Sequence, residues 1–79
     1  MPQTSIKSNI CGKRIAEARS IAQLTQETLS AKLALLGVNM DRAAVAKVEN
    51  HLRRVLDYEL RALATVLDVS VDWLLGDEL

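Results

Sequence analysis

The fold is decided by residues 24–50, which read LTQETLSAKLALLGVNMDRAAVAKVEN. Thr25 is a favourable N-cap, because its hydroxyl can accept a hydrogen bond from the first turn of a helix. Gly37 is typical of a helix end, since glycine adopts the left-handed conformation without a steric penalty. A helix from Gln26 to about Leu36 is therefore predicted, and its leucines at helical spacing are expected to face inward: Leu29, Leu33 and Leu36.

A second helix is predicted after a short turn. Asp41 is its expected N-cap, and the helix runs to about Asn50 with Val45 and Val48 directed inward. Two consecutive helices separated by a short turn are the pattern of a helix-turn-helix unit, which is predicted here for the second and third helices of the chain.

The flanking sequence predicts three more short helices. The first covers about residues 11–22. One face of this helix, defined by the i, i+3, i+4, i+7 spacing, consists of Ile15, Ala18, Arg19 and Ala22. The fourth is expected to be capped by Asp57, and its inner face consists of Leu60, Leu63, Ala64 and Leu67. Ser70 is the predicted cap of a last helix, residues 71–75, which Gly76 ends.

The composition favours an all-α fold, a compact five-helix bundle. The chain has 79 residues, which allows one domain, and 49% of them are hydrophobic. The aromatic residues are limited to Trp73 and Tyr58, and proline occurs once, a composition that favours short packed helices over a sheet. Residues 1–10 are expected to form a flexible N-terminal arm, and residues 11–79 a single domain.

Several classes of function are disfavoured by the residues that are present. Cys11 is the single cysteine, expected to be a small semi-buried apolar residue, and no cysteine or histidine cluster offers a metal site. His51 is the only histidine of the sequence and no Ser/His/Asp, metal or phosphate-loop arrangement accompanies it, so an enzyme is not predicted and His51 is expected in a loop near phosphate. No cofactor or small-molecule ligand is predicted. Without a long apolar run or a signal-like start at residues 1–10, a cytoplasmic protein that does not enter the membrane is expected.

Charge is divided unequally along the chain although the net charge is zero. Residues 1–54 contain nine Lys and Arg residues against four Asp and Glu, whereas residues 55–79 contain one against six. The basic part can meet phosphate while the acidic part stays away from it. Chance scatter of surface charge produces the same pattern, and the charges alone leave both explanations open.

Several short motifs follow one another at characteristic spacing. They are GKRI at 12–15, AR at 18–19, LTQETL at 24–29, VAKVEN at 45–50, DYEL at 57–60, LA at 63–64 and VSVDWLL at 69–75. In this order they resemble the Cro/phage-repressor helix-turn-helix family, also called XRE-like, over about residues 12–75. The resemblance implies a lambda-repressor-like domain that binds double-stranded DNA sequence-specifically as a small dimeric transcriptional regulator, with repression as the expected mode.

The resemblance also implies which residues contact DNA. In the family the helix that begins at Gln26 lies across the DNA backbone, and the next helix enters the major groove. The residues expected to read bases are Arg42, which suits guanine, Ala43, which suits a thymine methyl, and Lys47, which reaches guanine or phosphate. The residues expected to bind phosphate are Thr25, Gln26, Asn50, Arg53 and Arg54.

Arg19 and Glu49 receive a structural role from the same resemblance. Arg19 lies on the predicted inward face of the first helix, where an unpaired guanidinium would be costly, and its fork suits a carboxylate. The pair is interpreted as a brace between the first and third helices that sets the orientation of the reading helix.

The chain departs from the family pattern at three places. The turn after the second helix is longer than usual, so that helix is expected to extend as far as Gly37. His51 stands at the place of a usual glycine, so either His51 adopts a left-handed conformation at an energetic cost or Asn50 takes the turn. Leu56 replaces the usual Ser or Thr, so Asp57 is expected to cap the fourth helix.

A homodimer on a palindromic operator is expected, because one reading helix covers too few base pairs to select one site in a genome. The candidate dimer surface consists of Trp73, Leu74 and Leu75, since so short a helix cannot turn all of its apolar residues toward one core. Alternatively, Trp73 only closes the core of the monomer. The alternative function is a protein-interaction module, such as an antitoxin or anti-repressor, that keeps the fold without DNA binding.

Overall fold

The computed structural model of the protein describes residues 7–76. Five helices lie within this range: α1 Gly12–Ile21, α2 Gln26–Leu35, α3 Arg42–Glu49, α4 Asp57–Leu67 and α5 Val71–Leu75. The predicted all-α, five-helix fold is confirmed, and the observed helix ends lie within one residue of the expected ones. Residues 1–6 of the predicted arm and residues 77–79 of the predicted domain lie outside the described residues.

The two ends of α2 follow the predicted capping residues. Thr25 Oγ1 accepts a hydrogen bond from the Thr28 backbone N–H at 2.9 Å. At the other end Gly37 has a φ of +81°, and the Val38 N–H donates back to the Leu33 carbonyl at 3.0 Å. This Schellman arrangement satisfies carbonyls that a helix end would otherwise leave without partners.

The inward direction predicted for Leu36 is wrong. Leu36 is the C-cap residue of α2 and is 50% exposed, whereas Leu29 and Leu33 are fully buried. The chain turns at Gly37 directly after it, and Val38 supplies the next buried side chain instead. Leucine periodicity therefore overestimates the buried face of α2 by one residue, because the periodicity ends where the helix ends.

The turn from α2 to α3 spans residues 36–41, which matches the expected lengthening. Met40 is buried, so this long turn is attached to the core by a side chain of its own. Asp41 Oδ1 accepts a hydrogen bond from the Ala44 N–H at 2.8 Å and caps α3 as predicted. Val45 and Val48 are buried, which turns the opposite side of α3 toward solvent.

The start of α4 differs from the expectation. The N-cap is Leu56, and Asp57 is the first residue of the helix rather than its cap. The capping is done from inside the helix, because the Glu59 carboxylate accepts a hydrogen bond from the Leu56 backbone N–H at 3.0 Å. The glutamate half of a capping box thus replaces the missing Ser or Thr.

Left-handed residues end all five helices. Gly37 and Gly76 adopt this conformation without strain, but Gln23, His51 and Asp68 adopt it with φ between +58° and +63°. Of the two residues considered for the left-handed position after α3, His51 adopts it, because Asn50 has a negative φ of −96°. Such a side chain costs roughly 1 kcal/mol relative to glycine.

The core lies between the five helices. Its large, fully buried side chains are Ile15, Leu29, Leu33, Met40, Val45, Val48, Leu63 and Leu74. Cys11 is buried more deeply than the semi-buried position expected for it, and this burial raises the pKa of its thiol. Within residues 7–76, no helix is long and apolar enough to cross a membrane.

Candidate nucleic-acid interface

The solvent-facing side of α3 carries the three side chains predicted to read bases. Arg42, Ala43 and Lys47 are all exposed, while Val45 and Val48 anchor the opposite side in the core. Arg42 and Ala43 lie in the first turn of the helix and Lys47 lies one turn further along. The helix therefore presents two cations and a methyl group on one accessible surface.

The predicted phosphate-binding residues divide into two groups. Thr25, Asn50 and Arg54 are exposed, and the Asn50 amide also donates to the Ala46 carbonyl at 3.0 Å. Gln26 and Arg53 are half-buried and engaged with glutamates of the domain. Within the exposed group, Thr25 and Asn50 also bond to their own helices, whereas the Arg54 side chain can meet a ligand without giving up an internal hydrogen bond.

Arg19 and Glu49 form the ion pair that the family resemblance implies. Arg19 Nε lies 2.6 Å from Glu49 Oε2, and Nη2 donates to Oε1 at 3.1 Å. Arg19 Nη1 also donates to the Leu24 carbonyl at 2.8 Å, and the Gln26 amide donates to Glu49 Oε1 at 3.0 Å. The start of α2 and the end of α3 are thus tied to α1 through one carboxylate, and the pairing raises the pKa of Arg19.

A second arginine–glutamate pair changes the interpretation of Arg53. Its Nη1 and Nη2 donate to the two carboxylate oxygens of Glu59 at 2.9 and 3.0 Å, and Nη1 also donates to the Arg54 carbonyl. Glu59 is only 3% exposed, and the hydrogen bonds from Arg53, followed by that from Leu56, lower its pKa. The main contact of the Arg53 side chain is therefore the buried Glu59 carboxylate, and not solvent.

The sequence around Glu59 carries signals for this pair. Arg53 and Glu59 are six positions apart, and Glu59 lies in the DYEL motif of the fourth helix. A charged residue inside an otherwise apolar helix face is seldom buried without a partner. Glu59 is three residues after Leu56, the position from which a glutamate caps a helix start.

Gly12 and Asn9 are two further residues whose role the sequence did not reveal. A Cβ atom on Gly12 would lie 2.3 Å from the Val48 carbonyl oxygen, so only glycine allows α1 to approach the end of α3 this closely. Asn9 is buried, and its side chain contacts both helices. Although residues 1–10 were expected to be an arm, Asn9 is thus attached to the domain.

The predicted dimer surface on α5 is only partly accessible. Leu74 is fully buried in the monomer core and cannot serve as a surface contact, which corrects the expectation for this residue. Trp73 and Leu75 are half-buried, and the Arg14 guanidinium lies 4.6 Å from the centre of the Trp73 ring. Ser70 caps this helix as predicted, since its Oγ accepts from the Trp73 N–H at 2.9 Å.

Among residues 7–76, the most exposed large apolar side chains lie outside α5. They are Ile10, Ile21, Leu35, Leu36, Leu52, Leu56 and Tyr58. Leu36 and Tyr58 line one shallow groove of about 310 Å³ between the end of α2 and the outer side of α4. Among residues 7–76, no group of His, Cys, Asp and Glu is arranged to hold a metal ion.

Solved structures with the same fold show what the chain is similar to. The P22 c2 repressor protein, in complex with the synthetic operator 9T, aligns over 89% of this chain and 98% of its own with 26% identity and a TM-score of 0.73. The restriction-modification controller protein C.AhdI from Aeromonas hydrophila aligns over 85% of this chain and 94% of its own with 33% identity and a TM-score of 0.72. No protein-family model and no curated protein matches the sequence. With its five-helix fold and this likeness to two regulators, the chain belongs to the Cro/phage-repressor, XRE-like, helix-turn-helix family.

Proposed function

We propose that this protein is a transcriptional regulator, a repressor in mode, which binds double-stranded DNA sequence-specifically as a homodimer with α3 in the major groove. The observation that carries the proposal is the accessible side of α3 with Arg42, Ala43 and Lys47. The likeness to a repressor in complex with an operator supports it. A protein with this function acts in the cytoplasm.

Base reading falls to the first two turns of α3. Arg42 is the first residue of the helix and is exposed, so its guanidinium can donate two parallel hydrogen bonds to guanine O6 and N7. Ala43 can contact a thymine methyl, and Lys47 can reach a guanine or a phosphate one turn later. The ion pair of Arg19 with Glu49 holds the far end of the same helix.

Phosphate binding falls to the start of α2 and to the loop after α3. Thr25, Asn50 and Arg54 are exposed there, and the backbone N–H groups at the start of α2 favour an anion. Gln26 and Arg53 can join them only while sharing their donors with Glu49 and Glu59. Arg54 is therefore the arginine of this loop from which the larger electrostatic contribution is expected.

A salt titration of DNA binding tests this function. A duplex obtained by selection from a random pool is titrated with the wild type, with Arg54→Ala and with Arg61→Ala, an exposed arginine on α4, as the matched control. The logarithm of affinity should fall linearly with the logarithm of salt, and Arg54→Ala should reduce that slope by about 0.9 while Arg61→Ala leaves it unchanged. Salt-independent binding, or no binding at all, contradicts the proposal.

Base specificity is tested with Arg42→Ala on the selected duplex and its single-base variants. The preference at one base position should relax by about 1–3 kcal/mol, while affinity for unrelated duplexes changes little. An equal loss on all duplexes would make Arg42 a phosphate contact instead of a reading residue.

The dimer surface proposed at α5 is reduced to Trp73 and Leu75, because Leu74 is inaccessible. Two copies on a palindromic operator would double the number of base pairs read. Leu75→Glu should shift sedimentation toward the monomer, whereas Leu35→Glu on the outer side of α2, at an 86% exposed position, should leave it unchanged. If both variants sediment like the wild type and remain folded, the dimer does not use this surface.

A protein-interaction module is the second candidate function, and the exposed groove beside Tyr58 favours it. Leu36 and Tyr58 offer apolar surface that the monomer does not cover. The salt titration separates the two candidates, because an interaction module without a DNA function gives no salt-dependent DNA binding.

A further inference from the structure

We propose that Asn9 is a positioning residue for DNA binding, which ties the start of α1 to the end of α3 and so sets the orientation of the loop that carries Arg54. The inference rests on the proposed function for its consequence in DNA binding. The geometric part, that Asn9 holds this loop, is independent of DNA and is tested separately below.

The side chain of Asn9 uses its whole hydrogen-bonding capacity between two helices. Its Oδ1 accepts from the backbone N–H groups of Cys11 at 3.1 Å and Gly12 at 2.7 Å, which caps the start of α1. Its Nδ2 donates to the carbonyls of Val48 at 3.0 Å and Arg53 at 2.8 Å. An amide offers two donor hydrogens and one acceptor oxygen, and all of them are engaged here.

The two carbonyls bound by Nδ2 lie on either side of the turn that leaves α3. Val48 is in the last turn of the helix, and Arg53 comes after the left-handed residue His51. One amide group therefore fixes the separation of the two sides of this turn. Arg54 follows Arg53 directly, so the direction in which its side chain leaves the loop depends on the same contact.

Backbone groups around Asn9 add further contacts between the start of α1 and the loop after α3. The Asn9 carbonyl oxygen lies 3.0 Å from His51 Nδ1, and the Ser8 N–H donates to the His51 carbonyl at 3.1 Å. The glycine at position 12 makes the close approach possible, because a Cβ there would clash with the Val48 carbonyl and lie 3.1 Å from Asn9 Oδ1. Asn9 is only 8% exposed, so water does not readily replace these contacts.

The chemistry explains why the residue has to be an amide. Aspartate could still accept from the two N–H groups of α1, but its second oxygen would face two carbonyl oxygens and repel them. Serine could accept at the start of α1 but could not span both carbonyls at the end of α3. Asn9→Ser thus removes the tie to the loop and retains a cap for α1.

The first test measures the loop without DNA. The Leu52 N–H donates to the Lys47 carbonyl at 2.8 Å within the turn, and its hydrogen exchange reports whether the turn is held. Exchange at Leu52 should become about tenfold faster in Asn9→Ser, relative to amides in the middle of α4, because a lost buried hydrogen bond of ordinary strength corresponds to about that factor. Val69→Ala, at a half-buried position away from the loop, is the control for general destabilisation. Unchanged relative exchange at Leu52 overturns the proposal even if the protein binds no DNA.

The second test measures coupling in DNA binding, at a temperature where every variant is folded. Asn9→Ser should weaken binding to the selected duplex about tenfold, and Arg54→Ala should cause a much smaller loss in the Asn9→Ser background than in the wild type. A purely structural role would leave the two losses additive, and additive losses overturn the positioning role. If Asn9→Ser does not fold, His51→Gly, which removes the 3.0 Å contact between His51 Nδ1 and the Asn9 carbonyl but keeps the Asn9 side chain, gives the same comparison.

Discussion

Two arginine–glutamate pairs flank the end of α3, and they are chemically alike but placed differently. Arg19 and Glu49 are 30 positions apart and join α1 to the last residue of α3. Arg53 and Glu59 are six positions apart and join the following loop to the first turn of α4. Both are bidentate, which suits the planar fork of a guanidinium.

The remaining partners of the two glutamates differ. Glu49, 7% exposed, also accepts from the Gln26 side chain, which belongs to a third helix. Glu59, 3% exposed, also accepts from the Leu56 backbone N–H of its own helix start. The first pair therefore orients helices relative to one another. The second pair fixes the end of the loop after α3 at the point where α4 starts. An arginine in a basic loop thus has a structural task as well as an electrostatic one.

The largest effect is expected when the second pair is broken. Arg53→Ala leaves Glu59 nearly inaccessible to water with the Leu56 N–H as its remaining donor. The free energy of unfolding should fall by about 3 kcal/mol, because an unpaired buried charge is costly. Urea unfolding followed by circular dichroism measures the loss, with Arg54→Ala as the neighbouring control. A loss no greater than that of the control would show that solvent replaces the arginine.

Breaking the first pair should have a somewhat smaller effect. Arg19→Ala leaves Glu49 with the Gln26 donor, so a loss of about 2 kcal/mol is expected. Adding Gln26→Ala to Arg19→Ala should cost more than the sum of the two single variants, because only the double variant leaves the carboxylate without a side-chain donor. Additive losses in the same urea experiment would show that Gln26 does not compensate for the arginine.

Acid should weaken the second pair by a smaller amount than deletion of Arg53. The folded-state pKa of Glu59 is lowered mainly by the Arg53 hydrogen bonds, so the folded protein binds fewer protons than the unfolded chain in that pH range. Its contribution is therefore complete at neutral pH and is lost as pH falls below the unfolded value and through the folded pKa. Unfolding free energies measured from pH 6 downward, over about three units, should decline more steeply in the wild type than in Glu59→Gln. Parallel pH profiles would contradict this assignment.

The smallest effects concern the left-handed residues beside the first pair. Gln23 and His51 follow the ends of α1 and α3 with φ of +60° and +63°. Gln23→Gly should stabilise the protein by up to about 1 kcal/mol, because glycine relieves the steric strain. His51→Gly should gain less, since it also removes the contact between His51 Nδ1 and the Asn9 carbonyl. Equal gains in thermal unfolding would mean that this contact contributes nothing.

Local patterns in the sequence predicted the helices well because caps and periodicity act over a few residues. Thr25, Asp41 and Ser70 accept hydrogen bonds from the first turns that follow them, as expected. The predictions that were wrong concern residues whose local preference is overridden by a contact with a residue elsewhere in the fold. Asp57 lost the capping role to Glu59, whose carboxylate is held in place by Arg53.

The candidate interface was predictable to a similar extent. Arg42, Ala43 and Lys47 are exposed because Val45 and Val48 on the other side of α3 are buried, and that helical periodicity is visible in the sequence. The role of Arg53 was not predictable from charge alone, because a cation facing solvent and a cation facing a buried carboxylate have the same sequence signature. Leu74 likewise could be assigned to the core only once the packing of α5 was known.

By itself the sequence determined the number, type and approximate ends of the helices and the polarity of each helix face, since these depend on neighbours within one or two turns. Apart from the pair of Arg19 with Glu49, which the family resemblance implied, only the tertiary structure decided which polar groups meet across the chain. Asn9 spans two helices from within a segment that looked like a loose arm, and it does so over 39 and 44 positions to Val48 and Arg53. Such contacts leave no local pattern, because the partners of a buried polar group are selected by the packing that removes water from it.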